Sequence, residues 1–512
     1  MINSSDTGPL TGAPEIESSW FASLPLIIQK ALQSIPVASH YYVALSGGLD
    51  SSLLLQLSNR YLRESREASL IAIHVHHGIS QHADQWQSHC EAICHQSGVE
   101  LVVRKVELKS SKKGVEEAAR AARYSVFEQI LPSDAVLLQG HHQNDQAETV
   151  LLRLMRGAGV KGLAGIPKTR ALNSALIHRP FLAVSRSELL SLAEAWGVSW
   201  VEDDSNASVD YDRNYIRHEV IPKLESRWES AVSRLAVSSE HCRESAELEE
   251  ALAKIDLVGI TQDVFGPALS IAGLTQLPLS RQRNAVRYWL QHQRLGFPGE
   301  KRFQRIWTEL LTARADANPL VEWPLGAVRR YRDAIFGLSA NDISAQSDCI
   351  TSNIVVDGWS TSKTDSALSD GLTKRELMIF KQSVMGRQYA LRMVDSVNAS
   401  ISDVVTETEE VNIQPVKRLL VKAPADQVQV SIKFRQGGEL FKPVGRHHHK
   451  PLKKWLHECN VPPWLRDSIP LLYYNESLVA MGDLLVADGF QGGSNSRNLE
   501  ISWGQKLDHN QL

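Results

Sequence analysis

A glycine- and serine-rich segment between a predicted strand and a predicted helix restricts the fold of this chain more than any other feature. Residues 46–52 read Ser-Gly-Gly-Leu-Asp-Ser-Ser, after the apolar strand pattern of 41–45 and before the apolar helical pattern of 53–57. Glycines let a backbone approach an anion, and the start of a helix offers unpaired N–H groups and a positive dipole end. The segment favours a phosphate-binding loop; a tight turn capped by Asp50 or Ser51 is the alternative.

Strand and helix patterns alternate after this segment. Further strands are predicted at 70–75, 100–106 and 135–139, and helical stretches lie between them, such as 114–130. This alternation is typical of α/β proteins with a doubly wound parallel sheet that helices cover on both faces. The first half of the chain is therefore predicted to have this fold, with its loop at the start of the first strand–helix unit.

Composition excludes several classes of protein. The 512 residues are 43% hydrophobic and 22% charged, unlike collagen, a coiled coil or a fully disordered chain. The formal charge of −3 argues only weakly against a nucleic-acid binder, because a total hides local patches. Five cysteines without a C-x-x-C pair favour free thiols in a reducing cytosol. A polar N-terminus and the lack of any long apolar stretch predict a cytoplasmic protein.

The motif S-G-G-x-D-S is more specific than a generic glycine loop. It resembles the pyrophosphatase loop of the PP-loop ATPases, and it lacks the lysine that follows the glycines in a Walker A loop. The resemblance implies that the loop binds ATP, which is cleaved between its α and β phosphates. It also implies that the chain adenylates an oxygen of its substrate before a nucleophile displaces AMP.

Six further segments identify a branch of this superfamily. They include His-Val-His-His-Gly-Ile-Ser, Gly-Val-Glu-Glu-Ala-Ala-Arg and Gly-His-His-Gln-Asn-Asp-Gln-Ala-Glu-Thr, and they lie at 74–80, 114–124, 140–157, 179–181, 202–206 and 213–217. In this order they resemble the tRNA(Ile)-lysidine synthases over roughly 41–338 and again in the last block. Asn144 stands where the family has an acid, which puts a helper role at that position in doubt.

The resemblance implies an AMP-forming ligase that uses ATP and Mg²⁺ and works in two steps. The O2 atom of a cytidine attacks the α-phosphate of ATP and releases pyrophosphate. The ε-amine of free lysine then attacks C2 of the cytidine and releases AMP. The product is lysidine at wobble position 34 of an isoleucine tRNA with a CAU anticodon, which then reads AUA instead of AUG.

ATP binding is assigned to the loop, to the end of the second strand and to the turn after the fourth. The residues are Ser46, Gly47, Gly48, Leu49, Asp50, Ser51, Ser52, His74, His76, Gly140 and His141. The end of the second strand is interpreted as a wall beside the adenine, where the backbone reaches the base edge. A structural histidine is an equal alternative for His74 and for His76.

Acidic residues supply the candidate catalytic groups. Asp50 lies beside the phosphates and would hold Mg²⁺ or take a proton from the amine, and Asp145 is the second catalytic carboxylate and Mg²⁺ ligand. Asp145 and Glu148 share a helix face and suit a cationic lysine. Arg120 would neutralise either the α-carboxylate of that lysine or a phosphate. The alternative for the two acids is a solvated acidic face, and the alternative for Arg120 is an i,i+4 pair with Glu116.

Basic residues that would contact tRNA lie in two regions. The predicted tRNA-binding residues are Arg213, Arg217, Arg446, Lys450, Lys453 and Lys454. Arg329, Arg330 and Arg332 crowd one short strand and fit RNA as a set, although a solvated face is the alternative for each residue alone. The resemblance implies that the last block grips the acceptor stem.

These features divide the chain into five parts. We expect a disordered leader (1–20), a PP-loop ATP-binding catalytic domain (21–238), a mainly helical tRNA-binding domain (239–340), a variable linker (341–427) and a small α+β C-terminal tRNA-binding domain (428–512). Two other functions compete with lysine ligation. A cytidine thiolase would need cysteine pairs that the spacing of Cys90 and Cys94 does not provide, and a tRNA-binding protein without catalysis would not need the intact loop. The oligomeric state stays open, with a homodimer as one option.

Overall fold

Period-two alternation along the predicted strands builds the sheet that carries the phosphate loop. A computed structural model describes residues 19–78, 82–106, 115–202, 211–262, 265–314, 317–345, 354–355, 377–384, 387–394, 419–425, 428–493 and 497–505. The chain divides into two units, Met1–Glu249 and Glu250–Leu512, which are described separately. Among the described residues, no helix is both long and apolar enough to cross a membrane.

The first unit contains a six-stranded sheet. Its strands are β1 (His40–Ala44), β2 (Leu70–His76), β3 (Glu100–Lys105), β4 (Ala135–Leu138), β5 (Thr169–Leu172) and β6 (Ala175–His178). They lie in the order β3-β2-β1-β4-β6-β5, and every neighbouring pair is parallel except the hairpin β5–β6. The predicted parallel α/β sheet is confirmed, and each predicted strand ends within one residue of its observed bounds, whereas the hairpin was not predicted.

Helices cover both faces of this sheet. They are α1 (Ser19–Ser23), α2 (Leu26–Gln33), α3 (Leu49–Arg66), α4 (Ala83–Ser97), α5 (Val115–Ile130), α6 (Gln143–Met155), α7 (Val160–Leu163), α8 (Arg186–Ala195), α9 (Asp212–Tyr215), α10 (Ile221–Arg227) and α11 (Ala231–Leu257), which continues into the second unit. A π-helical turn, Ile216–Val220, joins α9 to α10. Tyr41 and Val43 enter one apolar core and Tyr42 enters the other, since neighbouring residues of a strand face opposite sides.

The strand order brings two loops together. β1 and β4 are parallel neighbours, and the sheet order reverses between them because β1 is followed on its other side by β2 and β3. In open α/β sheets, ligands bind beyond the carboxyl ends of the strands at such a reversal. The loop between β1 and α3 and the loop between β4 and α6 meet at this position.

The second unit begins with helices that pack on a small antiparallel sheet. The strands are β7 (Thr261–Gln262), β8 (Ala268–Ser270), β9 (Leu320–Trp323), β10 (Gly326–Tyr331) and β11 (Ala334–Ser339). The helices are α12 (Ile271–Thr275), α13 (Leu279–His292), α14 (Glu300–Arg305), continued by a π-helical turn at Ile306–Leu311, and α15 (Ala340–Ala345). Trp289, Phe303 and Trp307 form the centre of their apolar core. The domain predicted to be mainly helical thus also contains a five-stranded sheet, to which strands before and after the helices contribute.

The rest of the second unit is an α+β assembly. Its elements are β12 (Ile354–Val355), β13 (Leu377–Val384), β14 (Arg387–Val394), β15 (Leu419–Lys422), β16 (Val430–Lys433), β17 (Leu440–Phe441), β18 (Lys450–Pro451), α16 (Leu452–Glu458), β19 (Leu471–Tyr474), β20 (Ser477–Met481), β21 (Leu485–Val486) and β22 (Asn498–Gln505). The hairpin β13–β14 lies in the segment interpreted as a linker, and β14 pairs with β22 along its whole length. Helix α16 contributes Trp455 and Leu456 to the core of this assembly.

Some predictions concern residues outside the described ranges. They are the leader up to residue 18, the motif residues 79–80, 114 and 203–206, Cys349, and most of 341–418, and the side chain of Glu116 also lies outside the description.

Candidate active site

The phosphate loop leaves the start of α3 open. Gly47 has a φ of 89°, and a Cβ atom there would lie 3.2 Å from both Cys90 Sγ and Val201 Cγ2, so two constraints require glycine. Gly48 is the N-cap of α3, and no side chain of a described residue caps it. The capped turn that was the alternative for Asp50 and Ser51 is therefore not formed, and the N–H groups of the first turn are available to an anion.

Serine hydroxyl groups hold the loop in this shape. The backbone N–H of Ser46 donates to Ser51 Oγ (3.2 Å), and the two hydroxyl oxygens of Ser46 and Ser51 are 3.0 Å apart. Ser51 Oγ also donates to the carbonyl oxygen of Gly48 (3.0 Å). These bonds preorganise the backbone, so that little ordering would accompany the binding of a phosphate.

Gly140 brings the second loop against the first. A Cβ atom on Gly140 would lie 3.1 Å from the carbonyl carbon and oxygen of Asp50 and 3.2 Å from the backbone nitrogen of Ser51. These are backbone atoms of the first turn of α3, so they cannot rotate away. Glycine at position 140 is what allows this close approach.

His142 connects the two candidate catalytic carboxylates, and sequence reasoning missed it. It is the N-cap of α6: its backbone N–H donates to Asp145 Oδ2 (2.9 Å), and its Nδ1 accepts from the Asp145 N–H (3.4 Å). Because Nδ1 accepts, the ring proton lies on Nε2, which is 3.6 Å from Asp50 Oδ2. A reciprocal capping box at this position is detectable from sequence only as His-x-x-Asp before a helix.

Asp50 is the less satisfied of the two carboxylates. Its Oδ1 is buried and has no hydrogen-bond donor among the described residues. Burial raises the pKa of Asp50, an effect that His142 opposes and Asp145 reinforces. A buried carboxylate oxygen of this kind can accept a metal ion or a substrate proton.

Asp145 and Glu148 are joined to two arginines. Arg213 donates to Asp145 Oδ1 (2.6 Å) and to Glu148 Oε2 (2.7 Å), while Arg217 donates to both oxygens of Glu148 (2.6 and 3.0 Å). Glu148 is completely buried. Burial raises the pKa of Asp145, but His142, Arg213, His141 and a backbone hydrogen bond outweigh it and lower the pKa to about 2. The predicted lysine-binding acids and two predicted tRNA-binding arginines thus form one network between α6 and the helical turns at 212–220.

The three histidines predicted to bind ATP are all engaged with protein groups. His74 Nδ1 is 2.9 Å from the carbonyl oxygen of Leu45, and His76 Nε2 is 3.1 Å from Asp84 Oδ1. His141 Nδ1 accepts from Arg179 Nε (3.3 Å), and burial, with a contribution from Arg179, lowers its pKa to about 3. His141 is therefore a neutral ring at the carboxyl edge of β4.

Arg120 lies on α5 and contacts Tyr124 one turn later on the same helix. Its Nη2 donates to the hydroxyl of Tyr124 (3.3 Å), and its guanidinium lies 5.2 Å from the centre of that ring. Sequence reasoning missed Tyr124 and Arg179, which lie beside this arginine and His141. An Arg-x-x-x-Tyr spacing on a helix would have indicated the first of these contacts.

Exposed cations are retained in the last block. Lys453 and Lys454 are exposed on α16, and neither forms an ion pair within the described part of the chain. Arg446 and Lys450 lie over the ring of Trp455, and Lys450 also pairs with Glu458 (3.1 Å). The two lysines therefore present the freest positive charge of this surface.

Three arginines interpreted as an RNA-facing strand contact protein groups. The guanidinium of Arg329 lies 4.8 Å from the ring centre of Trp464, and Arg332 donates to the carbonyl oxygen of His457 (3.2 Å). Arg330 is buried and donates to the carbonyl oxygens of Leu310 and Leu311. The three arginines thus form contacts within the second unit, although Arg329 Nε has no hydrogen-bond partner among the described residues, and their interpretation as an RNA-binding set stays a prediction.

Family models match three parts of the chain. A model of the PP-loop domain matches residues 25–224. A model of the TilS substrate binding domain matches 269–336, and one of the TilS substrate C-terminal domain matches 430–503.

Curated relatives cover nearly the whole chain. The tRNA(Ile)-lysidine synthase of Pseudomonas putida is 36% identical over 452 residues, which are 87% of this chain and 93% of the relative. That of Coxiella burnetii is 32% identical over 469 residues, 91% of this chain and 94% of the relative. Among solved structures, the U34-tRNA thiolase NcsA from Methanococcus maripaludis with its 4Fe-4S cluster shares 20% identity, covers 43% of this chain and 78% of its own, and has a TM-score of 0.36.

Proposed function

The chain belongs to the tRNA(Ile)-lysidine synthase family, and on that premise we propose that it joins free lysine to C2 of the wobble cytidine of an isoleucine tRNA with a CAU anticodon. It is an AMP-forming ligase of the PP-loop class. One arrangement supports the chemistry most strongly: the open start of α3 and Asp50 lie directly against the loop that carries His142 and Asp145.

The first step would take place at the start of α3. The N–H groups behind Gly47 and Gly48, together with the Ser46 and Ser51 hydroxyls, would hold the pyrophosphate part of ATP. The cytidine O2 attacks the α-phosphate and pyrophosphate leaves, so the poor leaving group at C2 becomes an adenylate. Such phosphoryl chemistry depends mainly on positioning and on neutralising charge.

A Mg²⁺ ion would be held by Asp50 rather than by Asp145. The Oδ1 of Asp50 is buried without a donor, whereas both oxygens of Asp145 already accept hydrogen bonds. No cluster of three metal-binding side chains occurs among the described residues, but Mg²⁺ is commonly held by one or two carboxylates together with phosphates and water. When bound, the ion would neutralise charge on the phosphates.

The second step needs lysine with its ε-amine deprotonated. We infer that Asp145, with Glu148 behind it, gives the site the negative charge that attracts this cationic group. Arg213 and Arg217 pair with Glu148, and we infer that both arginines also contact tRNA. The amine attacks C2, AMP leaves, and the proton that the amine loses passes to solvent.

The last block would supply further contacts to the tRNA. Lys453 and Lys454, with Arg446 and Lys450 beside them, would contact phosphates of the acceptor stem. We also infer a cytoplasmic location, because the three substrates are found together there.

The thiolase alternative is disfavoured by the cysteines themselves. Cys90 and Cys94 lie one turn apart in α4, and burial raises their pKa values to about 12 and about 11. Thiols this difficult to ionise are poor nucleophiles and poor metal ligands.

Replacing one carboxylate tests the proposal. Asp50→Asn should abolish Mg²⁺-dependent pyrophosphate release from ATP on the CAU tRNA, while the affinity for tRNA is kept. Asp134→Asn is the matched control, because Asp134 is an exposed residue whose positive φ of 59° asparagine tolerates. Equal rates for both variants would contradict the role of Asp50.

A further inference from the structure

Several arginines gather around one tyrosine beside the active-site edge of the sheet. Arg120 and Arg170 lie over the ring of Tyr124, with guanidinium carbons 5.2 and 5.3 Å from its centre. Arg179 approaches the hydroxyl of the same tyrosine. None of these arginines forms an ion pair with an acid in the described ranges. The cluster therefore carries an excess of positive charge next to His141.

Arg179 places one of these positive charges in the interior of the protein. It is 1% exposed, and its hydrogen bonds go to the carbonyl oxygen of Pro167 (2.7 Å) and to Nδ1 of His141 (3.3 Å). Both partners are neutral acceptors, since burial holds the pKa of His141 at about 3. A buried cation without a counter-ion is costly, and a site built in this way is stabilised by an anion.

An acceptor without a donor lies in the same place. Gln139 is 5% exposed at the end of β4, and its Oε1 is buried with no hydrogen-bond donor among the described residues. Its amide lies close to Tyr124: burial raises the pKa of that hydroxyl, but Arg120, Arg179, a hydrogen bond from Gln139 and Arg170 together lower it. A phosphate would satisfy the arginines, yet it offers no N–H group to Gln139.

A ligand that satisfies both features carries an anion and an N–H donor on neighbouring atoms. We propose that Gln139, Tyr124 and Arg179 recognise the α-amino-acid head of lysine: its α-carboxylate lies against Arg179 and Arg120, and its α-ammonium donates to Gln139 Oε1. Tyr124 is a positioning residue, because its ring and hydroxyl align the guanidinium groups. This inference rests on the proposed function and assigns it a means of rejecting diamines, which have the same reactive amine but no carboxylate.

Lysine kinetics in Gln139→Leu and Tyr124→Phe variants test the assignment. Tyr124→Phe keeps the ring and removes only the hydroxyl. We expect the KM for lysine to rise about tenfold or more in each variant, because a hydrogen bond to a charged group is lost or loosened, while kcat changes little. Pyrophosphate release without lysine should stay at the wild-type rate in both variants. Discrimination between lysine and 1,5-diaminopentane should fall in Tyr124→Phe, because Tyr124 aligns the guanidinium groups that bind the carboxylate. It should stay unchanged in Gln139→Leu, because both molecules carry the amine that donates to Gln139.

Each other outcome has a definite meaning. An unchanged KM for lysine with unchanged discrimination would overturn the proposal. A raised KM for ATP, or a parallel loss of lysine-independent pyrophosphate release, would also overturn it by assigning the cluster to phosphate. Melting temperatures of both variants exclude loss of folding as the cause of a change. A wild-type protein that transfers no lysine would refute the proposed function itself, before any variant is compared.

Discussion

A single methyl group at Gly140 should separate the two active-site loops. In Gly140→Ala the new Cβ would lie 3.1 Å from two backbone atoms of Asp50 and 3.2 Å from a third atom, the nitrogen of Ser51. Ordinary contacts begin at 3.4 Å, so the first turn of α3 must move by a few tenths of an ångström. Overpacking of this kind costs about 1–3 kcal/mol of folding stability.

The same shift should reduce catalysis more than it reduces stability. A displacement of about 1 Å at an active site can cost roughly a hundredfold in rate, so a few tenths predict a loss of about tenfold in kcat/KM for ATP, or about 1.4 kcal/mol. The assay is pyrophosphate release at saturating tRNA, with the melting temperature measured in parallel. Gly159→Ala is the control, because Gly159 has negative φ and a Cβ there would contact nothing within 4 Å. Equal activity of the two variants would refute the argument that Gly140 sets the loop spacing.

Three further changes test other parts of the molecule. Arg217→Ala leaves buried Glu148 with one arginine and should cost about 3 kcal/mol in the free energy of unfolding measured with denaturant. Lys453→Ala with Lys454→Ala should weaken tRNA binding and lower its salt slope, measured by titration at several ionic strengths, by about 2. Burial lowers the pKa of His178 from 6.5 to about 4, so the unfolded chain takes up a proton that the folded chain refuses. Stability should fall as the pH falls from 6.5 to 4, by at most about 1.4 kcal/mol per pH unit, and His178→Asn should remove this contribution from denaturant midpoints.

Each of these has a control or a contradicting result. Arg156→Ala removes an ion pair whose side chains are 72% and 81% exposed, so it should cost less than about 1 kcal/mol. If it costs as much as Arg217→Ala, burial is not the reason for the larger loss. An unchanged salt slope would remove α16 from the tRNA interface. An unchanged pH dependence in His178→Asn would show that this histidine is not held neutral.

Local patterns account for what could be predicted of the fold. The loop at 46–52 and the strands β1 to β4 follow from apolar alternation, glycine and helix starts, which act over a few residues. The hairpin β5–β6 was missed because its strands have four residues each and its turn uses Asn173 with a φ of 51° in place of glycine. The hairpin β13–β14 was missed because it is completed by β22, more than 100 residues later.

The candidate site also depends on contacts between distant residues, which local sequence patterns do not predict. Asp50, Asp145 and the arginines could be selected as chemical groups, but Arg213 and Glu148 are 65 residues apart in sequence and their contact is a tertiary event. The contacts of Arg329 and Arg332 could not be predicted for the corresponding reason, since Trp464 and His457 come from a distant segment. Charge patterns indicate which residues need partners, and only packing decides whether the partner is protein or substrate.

Direct detection of the modified nucleoside tests the central claim. The purified protein is incubated with ATP, Mg²⁺, isotopically labelled lysine and unmodified CAU isoleucine tRNA, and the digested tRNA is analysed by mass spectrometry. We predict one labelled lysine on the wobble cytidine for each AMP and each pyrophosphate released, and none on a tRNA in which that cytidine is replaced by uridine. Release of AMP without lysine on the cytidine, or labelling of both tRNAs alike, would contradict the account.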